Sequence, residues 1–222
     1  WHLMTAAEWG LIANISLKNG TLPHGNTNCG KYHSDENEKG VAYDNYRTLA
    51  GSGPATWTHN HKPDGVHDLC GNVWEMVRGL RIKDGMLQAA KNNDAAMDID
   101  LSETSGNWLP IVDSERNAIY ASVSDEDITL TTDEDISQDY DGCEWGDVNM
   151  DCESEQLKEL ALYSGENNAY LYIDSTDGEY FPYRGGDWYN GADAGVFATN
   201  LNNSRTATGA NIGFRSAYYK KH

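Results

Sequence analysis

Three histidines, His59, His61 and His67, stand close together in THNHKPDGVHDL, and imidazoles so grouped are the raw material of a metal site or a general base. His59 and His61 would share one face of an extended segment, because side chains alternate along it. No acidic partner accompanies them at catalytic spacing, so a solvent-facing or loop-bonding role is the expectation. Cys29, Cys70, Cys143 and Cys152 form no C-x-x-C pair and have no histidines at zinc spacing, which argues against structural zinc. Buried free thiols are the plain reading, although Cys143 and Cys152 flank a short acidic loop that a disulfide would close in an oxidising compartment. A calcium loop can be sought in DYDGCEW. The EF-hand pattern needs a ligand at its first position and Glu at its twelfth, where Ser137 and Val148 stand. Nucleophile-elbow, phosphate-loop and dinucleotide fingerprints are also missing. These residues assemble no active site, and the chain is expected not to be an enzyme.

The elements around these groups are legible in part. A helix is predicted over 5–18, opened by a capping box of Thr5 and Glu8, striped by Leu11, Ile12 and Ile15, and stopped by Asn19-Gly20. Residues 20–66, rich in Gly, Asn, Asp, Ser and His, read as ordered loop. GLRIKDGMLQ, from Gly79, predicts a hairpin turning at Lys83-Asp84-Gly85. Residues 125–155 carry 13 acidic residues and no Lys or Arg, the pattern of a solvated loop or insertion, set at 124–156. A short helix over about 154–163, with Leu157, Leu160 and Ala161 on one face, leads back to the core. No repeat or low-complexity linker divides the chain, and one domain over 1–222 is expected.

Composition limits the partners. The chain has 222 residues, 39% of them hydrophobic, with seven Trp and thirteen Tyr, enough for a core, while 22 Gly and a mean hydropathy of -0.67 point to long polar loops. A net charge of -19, from 16 basic and 35 acidic residues, argues against nucleic acid and anionic membranes, which demand clustered Lys and Arg. No apolar run approaches the roughly 20 residues that span a bilayer. No signal peptide is visible, but the chain opens on Trp1, as expected of a fragment whose targeting information lies upstream.

The last stretch is the most informative. Within 184–217, RGGDWYNGADAGVFATNLNNSRTATGANIGFRSA, a frame of Arg184, Gly185, Gly186, Trp188, Gly191, Ala194, Gly195, Val196, Phe197, Arg205, Ile212, Gly213, Phe214 and Arg215 alternates with small polar positions. Those positions are Asp187, Tyr189, Asn190, Asp193, Thr199, Asn200, Asn202, Asn203, Thr206, Thr208, Gly209 and Asn211. The first set fills a core or sets backbone paths. The second reads as a contact surface with a rigid aromatic and adaptable polar groups.

This layout resembles the variable region of the variable proteins of diversity-generating retroelements, which belong to the formylglycine-generating-enzyme superfamily. The resemblance extends to WHLMTAAEWG, to TLAGSGPATWTHNHKPDGVHDLCGNVWEMV and to GLRIKDGMLQ, and so covers most of the chain in order. It implies an α+β, C-type lectin fold of the formylglycine-generating type, loop-rich, with a small antiparallel sheet, few helices, and the first helix beside the sheet. Adenine-directed mutagenesis in such systems turns Asn codons into many others, and Asp187, Tyr189, Asp193, Thr206 and Gly209 lie within reach of it. The implied function is a virion or cell-surface display protein. Its residues 184–217 bind a protein or glycan on a target surface, without nucleic acid or membrane insertion.

In the same superfamily the GNVWE motif can hold a structural calcium ion. Here Asn72 and Glu75 would be the ligands, with main-chain oxygens of Gly71 and Val73, and oxygen donors suit that hard cation. Alternatively Asn72 caps a turn and Glu75 pairs with Arg78 or a core arginine. Formylglycine-generating enzymes need a cysteine pair near the C-terminus to bind copper. The chain has no Cys after Cys152, so that chemistry is expected to be absent. A formylglycine-generating-type or sulfoxide-synthase-like enzyme and a non-diversified structural surface protein are the rival readings.

Overall fold

A computed structural model describes residues 1–125, 127–165 and 168–218; Glu126 of the acidic segment lies outside them. The chain runs β1 (His2–Leu3), α1 (Ala6–Asn19), then a long loop to β2 (Trp74–Met76) and the hairpin β3 (Leu80–Lys83) and β4 (Met86–Ala90). Next come β5 (Trp108–Pro110), β6 (Tyr120–Ser124), β7 (Asp127–Thr131), β8 (Tyr140–Glu144) and β9 (Asn149–Met150). A one-turn α2 (Glu155–Glu159) precedes β10 (Tyr170–Asp174), β11 (Glu179–Gly185), β12 (Gly195–Asn203), β13 (Ile212–Phe214) and β14 (Ser216–Ala217). The architecture is mostly β, loop-rich and α+β.

Helix α1 starts where its capping box predicts, with Thr5 Oγ1 accepting the Glu8 N–H at 3.1 Å and Glu8 accepting the Thr5 N–H at 2.9 Å. Gly20, at φ 65°, closes it through the left-handed conformation glycine tolerates best. The buried face is Ala6, Trp9, Gly10, Ala13 and Ser16, and the expected stripe is therefore corrected: Leu11 is 60% exposed. The cause is helix–helix contact, since a Cβ on Gly10 would sit 2.0 Å from the Glu159 carbonyl oxygen. Only a small residue at position 10 allows that approach to α2, and Leu11 and Ile15 turn outward while Trp9 is buried and Ile12 packs against the core.

The hairpin forms as read, with Asp84 and Gly85 at φ 50° and 79° and Leu80–Lys83 registered on Met86–Ala89. The sheet is not small. Its main path is β8-β10-β12-β11-β3-β4-β6-β7-β9, with β2, β13 and β5 paired alongside to make 12 strands, and it curls so that β8 approaches β6 and β7. Three of its pairings, β10 with β12, β13 with β2 and β7 with β9, are parallel. The sheet is thus larger than expected and partly parallel, and the acidic segment is no bare solvated loop, for it contributes β7, β8 and β9. Ile128, Leu130, Trp145 and Val148 are buried in the main core while neighbouring carboxylates face water. In β7 the period-two alternation of a half-buried strand outweighs the charge.

α2 stops at Glu159, short of the predicted 163. Leu160 and Ala161, the latter at φ 52°, leave the helical path and give their carbonyl oxygens to the Arg184 guanidinium at 3.2 and 2.9 Å. Trp9 Nε1 donates to the Val196 carbonyl at 2.8 Å and Trp145 Nε1 to that of Phe197 at 3.0 Å, locking β12 between the first helix and the acidic segment. β1 pairs with β14, so the two ends of the described chain meet.

Candidate functional site

β11 ends at Gly185, and Gly185 and Gly186, at φ 94° and 84°, form a left-handed pair that turns the chain sharply. A side chain at Gly186 would collide with Ala194, its Cβ falling 2.7 Å from the Ala194 Cβ. The turn folds Trp188 beneath the surface, where it is buried. The Trp188 carbonyl accepts the Cys29 N–H and the Gly191 N–H donates to the Thr27 carbonyl, both at 3.0 Å, so the turn is tied to the loop at 27–29.

Asp187 organises this turn. Its two oxygens accept the Tyr189 N–H and the Asn211 amide, each at 2.8 Å, and the Asn190 side-chain oxygen accepts the Asp187 N–H at 2.7 Å. Asp187, Asn190 and Asn211 are accordingly half-buried, holding backbone as well as meeting solvent, while Tyr189 is 68% exposed. Burial raises the Asp193 carboxyl above its ordinary range, against the downward pull of His33.

On β12 the alternation of a strand decides which residues face out. Thr199 and Leu201 register on Leu171 and Ile173 and are buried with Phe197, whereas Asn200, opposite Tyr172, and Asn202 are half-buried. Thr199, expected in the contact set, is therefore corrected to the interior, its hydroxyl donating to the Phe197 carbonyl at 2.9 Å. Asn203 donates to the Asn200 side chain at 2.8 Å. Thr206, Thr208 and Gly209 are exposed on the loop after β12.

Two frame residues also move. Arg205 is exposed, pairing at 2.9 Å with both oxygens of Glu179 and lying 4.5 Å over the Phe181 ring. Phe214 is 72% exposed, because β13 is an edge strand hydrogen-bonded to β2 alone among the described strands. Arg184 is fully buried with carbonyl partners, and desolvation lowers its pKa to about 9. Arg215 clasps Glu75 through two nitrogens and donates to the His67 and Asp68 carbonyls at 2.8 Å.

A chain of contacts through the buried Trp74 and Trp188 links the β10 tyrosines to Asn211, Asp187 and Tyr189. The rings of Tyr170 and Tyr172 lie 4.6 Å apart over the space left by Gly142, and Tyr172 packs edge-on to Trp74 at 6.3 Å. The Trp74 N–H donates to the Asn211 carbonyl at 2.8 Å, and Asn211 leads through Asp187 to Tyr189. Tyr189 then touches Tyr46, which stacks on Trp188; both ring pairs are centred 5.9 Å apart. Burial, and then Asp193, push the Tyr172 hydroxyl up to about 12. Tyr43, Tyr46 and Arg47, and the β10 tyrosines, are contributors that the sequence reading missed. The density of Tyr in VAYDNYRTL was the available signal.

Asn72 and Glu75 both have protein partners. Asn72, at φ 66°, accepts through one oxygen the Thr48 N–H at 2.9 Å and the Asn26 amide at 3.0 Å, and Glu75 serves Arg215. Asn72 thus organises a loop, and Arg215 is the arginine that Glu75 pairs with. Burial pushes the Glu75 carboxyl up, against the pull of Arg215. Among the described residues no group of three or more His, Cys, Asp or Glu is placed to hold a metal ion.

The histidines of THNHKPDGVHDL serve loops. His59 Nδ1 accepts the Val66 N–H at 2.9 Å, the His61 ring meets the Leu22 carbonyl at 3.0 Å, and His67 offers its carbonyl to Arg215. All four cysteines are free, and burial raises the Cys70 thiol to about 12. No helix among the described residues is long and apolar enough to cross a membrane. Compared with known proteins, the chain matches no family model, and no curated protein is similar enough to count as a relative.

Proposed function

We propose that this chain is a ligand-binding display protein of the diversity-generating retroelement type, with a C-type-lectin-like fold, whose variable segment 184–217 recognises a protein or glycan on a target surface. The observation that carries the reading is the division of labour inside this segment. Phe197, Thr199, Leu201 and Arg184 are buried and locked to α1, α2 and β10, while Tyr189, Asn200, Thr206, Thr208 and Gly209 lie partly or wholly in solvent. Exposed small polar side chains support little packing, so they can change at a cost typically within about 0.5 kcal/mol each. Recognition proceeds by contact, without covalent chemistry. A surface of this kind works where it meets other particles, on a virion or cell exterior. The test is a set of proteins randomised at Tyr189, Asn200, Thr206 and Thr208 and selected against immobilised proteins and glycans. Folded variants with changed ligand choice support the reading; loss of folding in most variants overturns it.

A further inference from the structure

Residues 41–49, outside the variable segment, present Tyr43 and Tyr46 at 63% and 45% exposure, flanked by the exposed Val41 and Leu49. Exposed aromatics scattered singly need no explanation, but a contiguous group marks an interaction site. These are contiguous with the variable segment: Tyr46 lies 5.9 Å from both Trp188 and Tyr189, and Arg47 sits 4.9 Å over Tyr43 and donates to the Ala210 carbonyl at 3.3 Å.

The loop is also held in place from beneath. Buried Asn26 donates to the Tyr46 carbonyl at 2.8 Å, Asn72 grips Thr48, and Asp44 accepts the Tyr46 and Arg47 N–H groups at 2.9 and 2.8 Å. A loop so fixed loses little freedom on binding, which favours affinity. Its charge is distinctive as well. Asp44 neutralises Arg47, while Asp187 and Asp193, on the adjoining turn, belong to no ion pair among the described residues, in a chain of net charge -19.

We propose that Tyr43 and Tyr46, the latter stacked on the buried Trp188, form a fixed aromatic platform that takes Lys or Arg side chains of a protein partner, the variable positions around it, Tyr189 among them, selecting among such partners. This rests on the display reading and specifies the partner's chemistry. Cations pack on aromatic faces and pair with nearby carboxylates. A neutral glycan would use the rings but not the carboxylates.

The experiment is selection from a random peptide library on the whole protein, followed by affinity measurements on the enriched peptides. Enrichment of Lys- or Arg-containing peptides is expected, with binding weakened by salt as charges are screened. A double variant, Tyr43→Ala with Tyr46→Ala, should bind about tenfold or more weakly, the scale of an aromatic contact hot spot, with its melting temperature unchanged. Enrichment of neutral or acidic peptides, no enrichment at all, or unchanged affinity in the folded double variant overturns the proposal. Substitution of Asn200, Thr206 and Thr208 separates the two claims. If it leaves peptide choice unchanged while the double variant weakens binding, the display reading fails and the platform stands.

Discussion

Strand β12 and the loop that follows it, 204–211, are neighbours within the segment proposed to vary and obey opposite rules. In β12 Gly195 to Thr199 are all buried, and beyond them Leu201 still points into a core that Trp9, Trp145 and Leu171 close, while the carbonyls of Val196 and Phe197 are taken by indole N–H groups. In the loop, Thr206, Thr208 and Gly209 are exposed, and its anchors are the Arg205–Glu179 pair and the Tyr183 hydroxyl donating to the Ala207 carbonyl at 3.1 Å. The contrast teaches that the segment 184–217 is not uniformly replaceable. Register protects the strand, while Thr206, Thr208 and Gly209 of the loop are free because they are exposed.

The sharpest way to break this contrast is Phe197→Ala. A buried Phe truncated to Ala should cost about 3–5 kcal/mol in denaturant unfolding. Phe214→Ala, on the exposed edge strand, should cost far less. Equal losses would mean that the edge strand is covered.

The arginines extend the comparison. Arg215→Ala leaves the buried Glu75 carboxylate without its partner and should cost about 3–5 kcal/mol. Arg205→Ala should cost about 1 kcal/mol or less, because the pair is open to water on the arginine side and Glu179 keeps Arg81. Unfolding midpoints of the two variants check this; a reversed order would contradict the assignment of Arg215 to the frame.

Adjacent residues give a finer test. Thr199→Tyr forces a ring into the core and should cost about 1–3 kcal/mol, while Asn200→Tyr, on the outward side, should stay within about 0.5 kcal/mol. Thermal melts of this pair read register directly, since a slip by one residue would exchange the two results.

Much of this was legible in the sequence where local chemistry decides. Thr5, Glu8 and Gly20 bound α1, and Asp84-Gly85 turns the hairpin, because caps and turns depend on residues a few positions apart. The outward Leu11 was not legible, since only the approach of α2 to Gly10 chooses the buried face. In the acidic segment the charge hid the D-I-T-L-T alternation that makes β7. At the site, Tyr189 and the exposed threonines stood out as interruptions of a frame. Thr199 was misassigned because a small polar residue fits an interior strand position when its hydroxyl finds a local carbonyl. The partnership of Tyr46 with Trp188 spans more than a hundred residues, and no spacing rule reaches that far.

The central claim is that the outward set carries recognition and the inward set carries the fold. It is tested most directly by unfolding a variant with Tyr189, Asn200, Asn202, Thr206 and Thr208 all replaced beside Trp188→Ala. The multiple variant should keep its stability to within about 0.5 kcal/mol per site, and Trp188→Ala should lose about 3–5 kcal/mol. If the multiple variant unfolds as readily as Trp188→Ala, the outward set is structural and the account is wrong.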